Sequence, residues 1–225
     1  MVRRKTILKK MTKREIIYTI FEKLHVYSDD SKLSEELVAS LIDTKRAMLL
    51  KQQYAKTHWH MPMEIKQEIT VGVSLVDKVN GYAPAGKILA TSVLPNSIKI
   101  KGKEGPLLVR KMDNTEISIT VVPIERVPYL FENRYTQHLT YCAVDQDGKM
   151  YLISKDNKLR FLKNIKITDI FEEPDDISGS SEAWDVYYPM ELSMIDMVVQ
   201  MIVKDLAQSL AIPPDNKNDA DDQRG

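Results

Sequence analysis

From about Met190 to Ile212 the chain reads as one helix that is apolar on more than one face and is cut off by Pro213-Pro214-Asp215. Fifteen of its 23 residues are apolar, and they fall into two adjacent rows: Leu192, Ile195, Val199, Ile202 and Leu206, beside Met190, Met194, Met197 and Met201. One row seats a helix on its own domain. Two rows demand either very deep burial or a second surface, such as an identical neighbour. The Met190, Met194, Met197 and Met201 row is therefore read as a subunit interface, with filling of the chain's own core as the alternative. At about 34 Å by its rise per residue the helix has the length of a membrane span. Glu191, Asp196, Lys204 and Asp205 interrupt it, however, and hydrocarbon penalises each, so it reads as a protein-packing helix.

The rest of the chain follows a helices, then strands, then helix order. A capping box, Thr12-Lys13-Arg14-Glu15, opens a helix whose apolar stripe is Ile16, Ile17, Ile20, Phe21 and Leu24 and which ends near His25. Ser34 is the expected N-cap of a second helix, with Glu35 and Glu36 favoured in its first turn and a stripe of Leu37, Val38, Leu41, Ile42, Met48 and Leu49. From about Glu64 the pattern becomes strand-like. Ile65 to Val79 alternates, and further strands are expected at Ile98 to Lys101, Glu116 to Val122, Leu139 to Val144, Lys149 to Ser154 and Ile165 to Phe171. The clearest local unit is the hairpin around Asp145-Gln146-Asp147-Gly148, where Gly148 is free to take positive φ.

The expected class is α+β: an N-terminal helical hairpin and a long C-terminal helix forming a small bundle, with an inserted antiparallel β barrel or sandwich. The expected organisation is a basic arm at 1–12, the hairpin at 13–60, the β domain at 64–172, an acidic linker at 173–188, the last helix at 189–212 and an extended tail at 213–225. A chain of 225 residues can bury enough surface to hold together without staples. With Cys142 its sole cysteine it forms no internal disulfide, which fits a reducing compartment, and no apolar run of signal-peptide length follows the basic start.

Charge is balanced at 32 basic and 32 acidic residues but is unevenly spread. Residues 1–14 carry seven basic groups and no acid, whereas Glu172, Glu173, Asp175, Asp176, Glu182 and Asp185 precede the last helix and Asp215, Asp219, Asp221 and Asp222 follow it. Such polarity suits head-to-tail contacts between copies, or simply two solvated ends. Arg3, Arg4 and Lys5, together with Lys99, Lys101 and Lys103 at a spacing of two, are candidates for meeting a phosphate backbone. Repeated around a ring they would form a belt of positive charge that reads no bases; displayed once, the three lysines are a solvated edge that discourages strand pairing.

Motifs that carry catalytic or metal chemistry are weak. His58-Trp59-His60 offers two imidazoles without a third ligand nearby. Asp145 and Asp147 resemble the start of a calcium loop, but strand alternation resumes at once, so they read as turn residues. His138 and Cys142 on one strand lie too far apart for a nucleophile and base pair. Gly102-Lys103-Glu104-Gly105 has the GxxG spacing of a backbone-clamping loop but sits in strand and turn context. No enzyme, metal or cofactor is expected on this reading.

Several segments, in order, resemble a known family. They are Arg3-Arg4-Lys5-Thr6-Ile7-Leu8, Arg14-Glu15-Ile16-Ile17-Tyr18, Asp29-Asp30-Ser31 with Leu37 to Gln53, Ile117 to Pro123, Tyr141 to Tyr151, Ile167 to Pro174, and Ile212-Pro213-Pro214-Asp215-Asn216-Lys217-Asn218-Asp219-Ala220. This series is similar to the virion ring, or head-to-tail connector, proteins of crAss-like short-tailed bacteriophages and spans nearly the whole chain. The resemblance implies a non-enzymatic structural protein of the virion, assembled in the host bacterial cytoplasm and placed at the head-tail junction. There it would form a homo-oligomeric ring, a dodecamer, that binds the portal protein and other tail ring proteins and extends the channel for packaged double-stranded DNA. It also implies a clasp on the portal or a neighbour, carried here by Ile212, Pro213, Pro214, Asp215, Asn218 and Asp219. The alternative from another class is a nucleic-acid-binding accessory protein that reads no sequence and uses the basic arm and Lys99 to Lys103.

Overall fold

The computed structural model describes residues 10–25, 33–54, 62–79, 86–99, 106–112, 114–132, 135, 137–178 and 183–209. The chain divides into two compact units. One takes the residues up to Arg46 together with those from Trp184, and the other runs from Ala47 to Ala183.

In the first unit, α1 (Lys13–His25) begins at the expected capping box. The Glu15 N–H donates to Thr12 Oγ1 at 3.2 Å and the Thr12 N–H donates to Glu15 Oε2 at 2.8 Å. Ile16, Ile17, Ile20 and Leu24 form its buried stripe. α2 (Glu35–Tyr54) starts where Ser34 Oγ accepts the Leu37 N–H at 3.2 Å. Its inner row differs from the expected stripe. Val38, Ile42, Arg46 and Leu50, each four residues from the next, are fully buried, whereas Leu37 is exposed and Leu41, Met48 and Leu49 are half-buried.

The last helix, α3 (Leu192–Ser209), packs on α1 and starts two residues later than Met190, because Glu191 O accepts the Met194 and Ile195 N–H groups at 3.0 Å and so closes the first turn. The described residues of the stretch expected as an acidic linker carry a helical turn at Asp175–Ser178, a 3-10 turn at Ala183–Asp185 and a bridge between Tyr187 and Thr12. Part of the charge polarity is satisfied inside the chain, since Arg14 Nε donates to Asp185 Oδ1 at 2.7 Å.

The second unit is a closed barrel of seven strands: β1 (Gln67–Val76), β2 (Lys87–Val93), β3 (Leu108–Lys111), β4 (Asn114–Val121), β5 (Thr140–Val144), β6 (Lys149–Ser154) and β7 (Asn164–Asp169). Around the barrel the order is β1-β2-β6-β5-β4-β3-β7. β1 turns the corner, pairing its first half with β7 and its second half with β2. The expected antiparallel barrel or sandwich is corrected in one respect. β4 and β5 run parallel, through Thr120 opposite Tyr141 and Val121 opposite Cys142. Parallel neighbours need a crossover rather than a hairpin, and residues 122–139, with a 3-10 turn at Ile124–Tyr129, supply it.

Ile69, Val71, Leu89, Val109, Ile119, Cys142, Met150, Leu152, Ile165 and Ile167 fill the barrel interior. The opposite faces of β2, β5 and β6 are covered as well, with Ile88, Tyr141, Ala143, Tyr151 and Ile153 packed against Val127 and Phe131 of the crossover. Phe131 holds a positive φ of 74° while its ring packs edge-on against Tyr141 at 5.7 Å. The expected hairpin is present: β5 and β6 pair from Thr140–Ser154 to Val144–Met150, and Gly148 takes a φ of 75°.

Of the expected strand at Ile98 to Lys101 the described residues are Ile98 and Lys99, and neither belongs to a strand. Ser97 makes one isolated bridge with Phe171, and Ile98 N–H donates to Ile170 O at 2.8 Å, so this segment runs along the exit of β7 without joining a ladder. β2 and β3, by contrast, were absent from the expected strands. β2 is buried on both faces and therefore lacks alternation, and β3 is only four residues long.

Candidate functional site

On α3 the row of Leu192, Ile195, Val199, Ile202 and Leu206 faces inward except at its first residue, which is exposed. The methionine row divides. Met194 is 1% exposed and Met190 is buried, so both belong to the chain's own core, whereas Met197 is 44% exposed and Met201 is half-buried. At 3.6 residues per turn Met197 lies about 60° round the helix from Met194, which takes it past the edge of the inner face. Leu192, Met197 and Met201 thus present apolar surface beside the exposed Asp196, Gln200 and Lys204.

A buried polar cluster sets the base from which α3 leaves. Asp43 on α2 accepts from Lys13 Nζ at 2.7 Å on one carboxylate oxygen and from the Tyr188 hydroxyl at 2.6 Å on the other. The Lys13 side chain is 3% exposed. Arg46 Nε donates to Pro189 O at 3.1 Å, and its guanidinium lies 5.6 Å from the centre of the Tyr188 ring. Further along, Lys45 pairs with Asp205 of α3. Sequence reasoning missed this cluster.

In the barrel unit a cleft of ≈ 540 Å³ opens at one mouth of the barrel. Three segments frame it: the residues after β2, the β5–β6 turn and the exit of β7. They are tied together by Leu94 N–H to Gly148 O at 3.0 Å and Glu172 N–H to Asn96 O at 2.8 Å. Leu94, Val144, Ile167 and Phe171 give it an apolar floor; Asp145, Asp147, Asp169 and Glu172 ring it, with Lys51 and Lys99. Lys51 Nζ pairs with Glu172 Oε1 at 3.2 Å. Lys99 is exposed at this rim.

Comparison with known proteins decides what kind of molecule carries these surfaces. The profile of the phage tail ring protein 2 family matches residues 15–224. The chain belongs to the phage tail ring protein 2 family. It is also similar to Ring protein 2 of Bacteroides phage crAss001, with 26% identity over 223 residues that cover 94% of this chain and 97% of the relative. This membership makes it a structural ring protein of a bacteriophage tail.

Within that family assignment, the remaining sequence candidates fall as follows. Arg3, Arg4, Lys5, Lys101, Lys103, His58 to His60, Gly102 to Gly105 and the tail residues Ile212, Pro213, Pro214, Asp215, Asn218 and Asp219 lie outside the described residues. Asp145 and Asp147 form the hairpin turn, with Gly148 N–H donating to Asp145 O at 3.1 Å. Among the described residues no group of three or more His, Cys, Asp and Glu is placed to hold a metal ion, and no helix is long and apolar enough to cross a membrane.

His138 is exposed and Cys142 is inside the barrel, so the two do not meet. Burial pushes the Cys142 thiol up to about 12 from its ordinary 9.0. A group whose folded-state value is raised contributes stability that is whole below about pH 9 and is lost as pH climbs towards about 12. Melting temperature should therefore fall more steeply between pH 8 and pH 10.5 in the native protein than in Cys142→Ala. Identical slopes would contradict this origin.

Proposed function

We propose that the protein is a ring subunit at the head-tail junction, assembled in the host cytoplasm as a dodecamer that binds the portal protein and neighbouring tail rings and extends the DNA channel. The observation that carries this reading is the family match over nearly the whole chain. Supporting it, α3 keeps Met197 exposed and Met201 half-buried beside its polar outer face, which is apolar surface that a lateral neighbour can cover. In this reading the helices of the first unit act as a small bundle, and Met197 and Met201 contribute to the contact between copies. Closed rings use two different patches per subunit in head-to-tail order, so the partner of α3 is a different surface of the next copy.

Light scattering on purified protein, alone and mixed with portal, tests the proposal. A single high-mass species of ring stoichiometry or a joint complex supports it, and a monomer that ignores portal and binds DNA favours the accessory-protein reading. The tail from Pro213 onward is assigned to clasping the portal or a neighbour. Truncation after Ile212 is expected to leave the melting temperature unchanged, because the removed segment is polar and proline-limited, while weakening portal attachment in co-sedimentation. Undiminished attachment would remove the tail from this role.

A further inference from the structure

The cleft at the barrel mouth has two properties that together define its ligand. Its floor of Leu94, Val144, Ile167 and Phe171 wants apolar side chains, and its described rim carries four carboxylates against the two ammonium groups of Lys51 and Lys99. A volume of ≈ 540 Å³ falls within the roughly 300–1,000 Å³ of pockets that enclose short ligands. The chemistry that fits is a short segment with an apolar centre and flanking cations.

One segment of this chain has that composition. Residues 1–9 place Ile7 and Leu8 between Arg3, Arg4 and Lys5 on one side and Lys9 on the other. The segment is followed by Lys10, which is exposed with its ammonium 5.6 Å from the centre of the Tyr187 ring, just before Thr12 bridges to Tyr187. Nine residues span at most roughly 30 Å when extended. The other terminus fits poorly, because Asp215, Asp219, Asp221 and Asp222 would bring like charge to the rim.

We propose that the barrel-mouth cleft of each subunit receives the basic N-terminal arm of a neighbouring copy, with Ile7 and Leu8 on the apolar floor and the arm's cations against the carboxylate rim. This proposal rests on the ring reading above, since it requires a second copy. It assigns Arg3, Arg4 and Lys5 to protein rather than to DNA, and it supplies the head-to-tail contact that the charge polarity of the chain calls for.

Two forms of the full-length protein that each add one cysteine to the native Cys142, Leu8→Cys and Gln146→Cys, test it. Gln146 is an exposed turn residue whose side chain is dispensable for the turn, and the native Cys142 is buried and unreactive. After the two forms are mixed, assembled and oxidised, a covalent dimer joining one of each is expected, and Leu8→Cys/Gln146→Cys rings should give a ladder of linked chains. Reversing Arg3, Arg4 and Lys5 to Glu should lower the linking yield by about tenfold, with recovery when the Gln146→Cys partner also carries Asp147→Lys and Glu172→Lys.

Rings of normal mass without the linkage overturn the arm proposal alone, as does a link formed only within one chain. So does a charge reversal that leaves linking intact and abolishes DNA retention. A protein that stays monomeric by light scattering with and without portal, and never links, overturns the ring reading together with the arm proposal.

Discussion

Met197→Asp combined with Met201→Asp is expected to prevent ring formation at concentrations where the native protein assembles, while leaving the monomer folded. Met197 is 44% exposed and Met201 half-buried, so a carboxylate at either remains hydrated in the free chain and costs within about 1 kcal/mol of stability. In a ring contact the same carboxylates lose water without a partner, and a penalty of roughly 3 kcal/mol lowers association by at least about a hundredfold. Met194→Asp is the opposite case. Its side chain sits in the chain's own core beside Ile195 and Val198, so a charge there should cost more than about 4 kcal/mol and melt the helices. Circular dichroism and light scattering on the two variants separate the effects. Normal rings from the Met197/Met201 variant would remove α3 from the subunit contact.

The second large effect is expected at Asp43. Asp43→Ala leaves the Lys13 ammonium, 3% exposed, without the carboxylate that now accepts from it at 2.7 Å, and takes the acceptor at 2.6 Å from the Tyr188 hydroxyl. Removing one partner of a buried pair costs about 3–5 kcal/mol, mostly as the penalty of the charge left behind. Replacing both partners with apolar groups of similar volume, as in Lys13→Met/Asp43→Leu, should recover most of that loss. Urea midpoints followed by helical circular dichroism give the comparison. A double variant no better than Asp43→Ala would mean that the cluster acts through Tyr188 and Arg46 rather than through the Lys13 charge. Because Tyr188 and Pro189 lead directly into α3, the cluster also fixes where the outer face of that helix points.

Local chemistry made much of the fold legible. The Thr12–Glu15 capping box, the Ser34 cap and the Gly148 turn each depend on a few adjacent residues, and each is where the spacing places it. Non-local features were hidden for physical reasons. β2 shows no alternation because the crossover covers its second face. The parallel pairing of β4 with β5 depends on how residues 122–139 return, which no window of sequence contains.

The site was legible only in part. Two adjacent apolar rows on α3 say that a helix is unusually apolar, but only the position of its neighbours decides that Met194 turns inward and Met197 outward. Arg46 did leave a signal. It occupies the third place in the spacing-four row of Val38, Ile42, Arg46 and Leu50, where a charged residue among buried ones implies a buried partner set. The cleft left none, since its walls come from segments near 95, 146 and 170 that meet only in the folded barrel.

The central claim, that copies of this chain close into a ring through α3 with nothing turned over as substrate, is tested most directly by electron microscopy of intact particles with the chain located in the map. The account predicts a closed symmetric ring of this protein at the head-tail junction, with Met197 and Met201 against the adjacent copy. A single copy per particle, or a ring in which that face of α3 meets only solvent, would contradict it.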